Sequence, residues 1–143
     1  KVEMVQYTTE DQSDAAFEEL VGKAERLVQE LGLHYRLSKL AAGDCSFSMA
    51  RTYDIEVWIP SMGIYKEVSS ASNARDYQAR RGNVKYRGAD KKLHLAHTLN
   101  ASGLATSRVI PAIVEQYQND DGSVTVPEVL RPYLGIDRIE KQR

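Results

Sequence analysis

The 143 residues are 42% hydrophobic and 27% charged, with a formal net charge of −1, which is the balance of one folded domain with a real core. No apolar run approaches the roughly 20 residues that cross a bilayer, and the first residues are charged, with no apolar signal-peptide core; a cytoplasmic or organelle-matrix setting is expected. The single cysteine, Cys45, excludes an internal disulfide and a cysteine-based zinc site, and reads as a small, partly buried apolar side chain.

Val2, Met4 and Val5 among polar neighbours open the chain as a short strand, and residues 8–13 turn it. From Asp14, the positions Phe17, Leu20, Val21, Ala24, Leu27, Val28 and Leu31 recur at helical spacing, and Gly32 stands where a helix end favours positive φ. The acids of this amphipathic helix suit its solvated face and, in the first turn, its dipole. Residues 35–40 form a strand pattern. A clearer one covers 53–59, with Ile55, Val57 and Ile59 on one face and Asp54, Glu56 and Trp58 on the other. Residues 60–63 punctuate it and 64–69 return, which predicts an antiparallel hairpin. A further strand is expected over 92–99, then helical spacing over 103–117. Pro111 inside that helix predicts either a kink or a true start near Ser107. Residues 119–123 are a turn cluster. The sum is an α+β fold, an antiparallel sheet flanked by helices.

The charge is divided along the chain. Residues 1–31 hold eight acids against three bases, a net −5, and residues 75–92 hold seven bases against two acids, a net +5. The basic segment, interleaved with Tyr77 and Tyr86, could meet a nucleic-acid backbone, or it is a solvated charged loop. His94 and His97 on one strand would point to opposite sides and lack a third ligand, which argues against a metal site there. Taken singly, Glu67 reads as a solvent-facing strand carboxylate, Gly103 as a turn glycine and Arg108 as a surface arginine. Glu67 and Ser69 share a strand face. Ser70 points away, so a cation held by Glu67 and Ser70 needs a bulge or the strand's end.

Two stretches change these readings together: Glu67-Val68-Ser69-Ser70, and Leu99 to Arg108 with its Ser102-Gly103 turn. With Lys1-Val2-Glu3-Met4 upstream and the string from Val126 to Gly135 downstream, their order and spacing resemble the catalytic core of the seryl-tRNA synthetases, class II aminoacyl-tRNA synthetases. The resemblance implies activation of L-serine with ATP and Mg2+ and transfer to tRNA(Ser). By the same resemblance, Glu3 and Ser102 contact serine, Glu67, Val68, Ser69, Ser70 and Arg108 contact ATP, Glu67 and Ser70 hold the magnesium, and Glu67 and Arg108 are the catalytic residues. Arg108 matches the motif 3 arginine, whose planar fork suits phosphate oxygens.

The chain departs from the family pattern at Cys45-Ser46, Ala71, Ala101 and Thr106-Ser107, and none of these changes removes a charged group of the site. The resemblance starts at the end of motif 2 and runs through motif 3. Residues 1–143 are therefore expected to be the C-terminal part of a catalytic domain, without the tRNA-binding arm, motif 1 and the motif 2 arginine, from an enzyme that is a homodimer at full length. Two other readings compete. One is a related ligase that charges a carrier protein, against which the lone cysteine speaks because those relatives use cysteine-bound zinc. The other is a non-catalytic interaction module.

Overall fold

The computed structural model describes residues 1–141. In chain order the elements are β1 (Glu3–Thr8), α1 (Ser13–Glu30), β2 (Tyr35–Lys39), β3 (Arg51–Ile59), β4 (Ile64–Asn73), α2 (Tyr77–Gly82), β5 (Lys85–Arg87), β6 (Leu93–Leu95), β7 (His97–Ser102) and α3 (Thr106–Gln116). A short tail follows, with β8 (Val124–Thr125), α4 (Arg131–Leu134) and β9 (Arg138–Ile139). Five strands make one sheet in the order β1-β7-β4-β3-β2, with every pair antiparallel. The expected α+β architecture is what the chain adopts.

The alternation of strand side chains gives this sheet two unlike faces. One face carries Ile55, Val57, Ala71, Leu99 and Ala101, which close a single core with Phe17, Leu20, Ala24 and Val28 of α1 and Val109 and Ala112 of α3. Burying each large apolar side chain there contributes about 1.5–3 kcal/mol. The opposite face carries Glu3, Asp54, Glu56, Glu67, Ser70, Asn100 and Ser102. It is left largely open, and α2 reaches only its end, where Thr98 Oγ1 donates to Gln78 Oε1 at 2.6 Å.

α1 ends where Gly32 adopts φ +66°. The last carbonyls need new donors there, and the Tyr117 hydroxyl donates to Leu31 O at 2.8 Å. A Cβ on Gly32 would lie 2.3 Å from that same hydroxyl. Gly32→Ala therefore meets both a left-handed backbone and a filled space. It is expected to destabilise the fold by about 1–3 kcal/mol, read as a lower midpoint in urea unfolding. Gln116 fixes the neighbouring corner: its Oε1 accepts from His34 N–H and its Nε2 donates to Trp58 O, each at 2.7 Å.

Several expectations need correction. The strand expected over 92–99 is two strands. β6 pairs with β5 in a separate hairpin, and β7 joins the main sheet. Ala96 between them bonds Val84 O instead. His94 and His97 thus lie on different strands, His94 beside Asp90 at 2.9 Å. β4 runs four residues past Ser69, because Ser72 and Asn73 pair on both sides, with β3 and β7. The helix expected over 103–117 is α3, which starts at Thr106, near the expected Ser107, and keeps Pro111 inside, so the Ser107 carbonyl loses its helical donor. The basic segment folds as α2 and the β5–β6 hairpin. Arg80 pairs with Asp76, Arg81 lies over the Tyr77 ring at 3.7 Å, and Arg87 donates to Lys91 O.

Candidate active site

On the open face, β1 and β7 bring together residues about 100 positions apart. Glu3 stands opposite Ser102 in the β1–β7 register. Asn100 Nδ2 donates to Glu3 Oε1 at 2.9 Å and Ser102 Oγ donates to Oε2 at 3.2 Å, while Lys1 Nζ lies 3.3 Å from Oε2. Burial alone would raise this carboxyl, but the bonds from Asn100 and Lys1, the Lys1 charge and Ser102 hold it below the ordinary carboxylate range. Glu3 is thus a fixed anion at neutral pH, fit to take an ammonium group. Ser102 is buried and gives its hydroxyl to Glu3. Asn100 escaped the sequence reading, although its spacing of two from Ser102 on a strand was the available signal.

β4 supplies the second group of residues, through a bulge. Ile55 pairs with Ser69 and Glu56 with Glu67, which leaves Val68 as the extra residue on β4. Val68 and Ser69 are consequently both buried, and Glu67 and Ser70 return to the same face, opposite Glu56 and Asp54. This meets the condition that the sequence set for a shared cation. Val68 and Ser69 turn inward. Val68 O accepts from Ala105 N–H at 2.8 Å, and Ser69 Oγ donates to Ser102 O at 2.7 Å. They brace β4 against β7 and against the chain just ahead of α3.

Arg108, in the first turn of α3, closes the group. Its Nη1 donates to Glu67 O at 3.0 Å and stands 3.5 Å from Glu67 Oε1. Both side chains are substantially exposed, so their attraction is worth only about 0–1 kcal/mol. An incoming phosphate can take the guanidinium at little cost. Beside them lies a cleft of about 510 Å³ lined by Lys66, Glu67, Ser107, Arg108, Pro111 and Glu115, among others.

The oxygen donors of Glu67 and Ser70 suit a hard cation such as Mg2+. Among the described residues no three His, Cys, Asp or Glu side chains gather as a metal cluster. A hard cation of this kind is commonly held by one or two protein oxygens, with substrate phosphates and water completing its shell. Asp54 stands on the same face, across from Ser70. Asp54 Oδ1 is buried without a hydrogen-bond partner. Burial and the nearby Glu67 and Glu56 also push the Asp54 carboxyl above its ordinary value, against the pull of the Ser70 hydroxyl.

A family model described as the tRNA synthetase class II core domain (G, H, P, S and T) matches residues 1–117. The chain belongs to this family. Within the class II core family the likeness is to the seryl enzymes, as the sequence motifs implied. Serine–tRNA ligase 2 of Clostridium acetobutylicum is 70% identical over 140 residues, 97% of this chain and 33% of that protein. Serine–tRNA ligase of Fervidobacterium nodosum is 57% identical over 98% of this chain and 33% of its own length. The chain thus spans about a third of the length of the curated relatives it matches. The crystal structure of seryl-tRNA synthetase from Pyrococcus horikoshii complexed with ATP superposes with a TM-score of 0.96 at 42% identity, over 100% of this chain and 32% of that one. Cytoplasmic serine–tRNA ligase from Naegleria fowleri in complex with AMP gives 0.91 at 38% identity, over 100% and 34%.

Proposed function

We propose that this chain is the serine-activating part of a serine–tRNA ligase, the C-terminal portion of its catalytic domain from the end of motif 2 through motif 3. The observation that carries the reading is the open sheet face, where Glu3 and Ser102, Glu67 and Ser70, and Arg108 stand together on a core of class II type. ATP as substrate is supported by the ATP-bound neighbour. The substrates of the whole protein are then L-serine, ATP and tRNA(Ser), and its assembly a homodimer. No helix of the described residues is long and apolar enough to cross a membrane; a cytoplasmic setting fits.

The reaction asks for alignment and charge neutralisation more than for proton transfer. Glu3, held by Asn100 and Ser102, receives the serine ammonium group and aims the carboxylate. A carboxylate oxygen of serine attacks the α-phosphorus of ATP, the bond from that phosphorus to the bridging oxygen breaks, and pyrophosphate leaves with the electron pair, giving seryl-adenylate. Arg108 lets go of Glu67 and grips phosphate oxygens through its fork. Glu67 and Ser70 would hold magnesium, which supplies further charge neutralisation at the phosphates when bound. Val68 and Ser69 serve ATP binding by holding the bulge in place. In the second step a 3′-terminal hydroxyl of the tRNA attacks the seryl carbonyl, loses its proton and displaces AMP.

The test is a chimera in which this chain replaces the corresponding third of the Clostridium acetobutylicum protein. Exchange of pyrophosphate into ATP that depends on serine, and is absent with alanine or threonine, is the expected result. A folded chimera with no serine-dependent exchange overturns the reading.

A further inference from the structure

We propose that Asp54 is a positioning residue of the cation site: standing opposite Ser70, its carboxylate orients that hydroxyl and contributes negative charge that the cation balances. The inference rests on the reading of Glu67 and Ser70 as cation ligands. Three carboxylates share this face of β3 and β4, and they differ in their partners. Glu56 is neutralised by Arg36, with Nε 2.5 Å from Oε2. Glu67 has Arg108. Asp54 has no ion-pair partner among the described residues, and its Oδ1 is buried without a donor.

A buried carboxylate oxygen with no donor is costly to a fold, and such groups mark places where a missing ion or a task explains the cost. The register explains it here. The bulge that swings Ser70 onto the open face sets it directly across from Asp54. An outer carboxylate that takes the proton of a ligating hydroxyl turns the hydroxyl's lone pairs toward the cation and raises its basicity, as outer partners of metal ligands do. Asp54 therefore acts through Ser70, and the charge it carries there goes uncompensated until the ion binds.

The experiment titrates Mn2+ into the chain in the presence of ATP and reads bound ion by water-proton relaxation, alongside the melting temperature without metal. Asp54→Asn keeps the shape and removes the charge. It is expected to weaken Mn2+ binding at least tenfold while the metal-free melting temperature stays at or above that of the parent chain. Glu56→Gln, whose charge is already met by Arg36, is expected to leave Mn2+ affinity within twofold. Glu67→Gln separates the two levels of the argument. If it abolishes binding and Asp54→Asn does not weaken it, the role of Asp54 is overturned and the site stands. If neither variant changes binding, or the parent chain binds no Mn2+, the site and this inference fall together. A weaker affinity in Asp54→Asn accompanied by a lower metal-free melting temperature marks Asp54 as a purely structural residue and also overturns the proposal.

Discussion

Arg108→Ala in the chimeric ligase is expected to cut serine-dependent pyrophosphate exchange roughly a hundredfold, the usual cost of removing one preorganised charged donor from a site where charge develops. The fold should scarcely notice the change. Arg108 makes one bond to a backbone carbonyl and one exposed ion pair with Glu67, together worth little against water. The circular dichroism spectrum and melting temperature are therefore expected to match those of the parent. That contrast makes the measurement decisive, because it separates a lost phosphate contact from a damaged domain. Exchange at the parent rate would remove Arg108 from the site and leave the class II core without the motif 3 function that its sequence implies.

Phe17→Ala is expected to be the most damaging single change to stability, at about 3–5 kcal/mol. Its ring is fully buried, 5.9 Å from that of Tyr53, with the Arg51 guanidinium 5.0 Å above it. It is the largest side chain that α1 sends into the core. Truncation removes contacts from both the helix and β3 and leaves a cavity between them. Against a typical domain stability of about 5–15 kcal/mol, such a loss should lower the melting temperature on the order of 10 °C. Denaturant unfolding of the chain checks it, and a loss below about 1 kcal/mol would mean that the core closes around the gap.

The sequence made the helix α1 legible because seven apolar positions repeat at its period, and Gly32 marked its end. The β3–β4 hairpin was legible for a like reason, since Ile55, Val57 and Ile59 alternate with polar residues. Strand pairing was harder to read. Residues 92–99 look like one strand because local pattern says nothing about the partner, and two different partners divide them at Ala96. Within the site, the motif resemblance marked Glu3, Glu67, Ser70, Ser102 and Arg108. The bulge at Val68 left no local signal, because a valine followed by a serine reads as ordinary alternation. Asn100 was passed over because an amide on a strand is unremarkable until a carboxylate 97 residues away turns out to face it. Asp54 was assigned to the right face, but only its register against Ser70 shows what it stands beside.

The break in the β4 ladder reaches beyond the placing of side chains. β7 joins β4 only at residues 71–73, so at Glu67 and Val68 the strand is paired with β3 alone and its other edge is open. The carbonyls there hold the start of α3: the Val68 carbonyl takes the Ala105 amide and the Glu67 carbonyl takes the Arg108 guanidinium. A chain lacking Val68 could still pair Glu67 with Glu56 and Ser70 with Asp54, with the faces unchanged, yet it would lose the anchor of the loop that presents the arginine. The irregularity thus ties the strand that carries Glu67 and Ser70 to the segment that presents Arg108, with the Val68 carbonyl and the Ala105 amide as the tie.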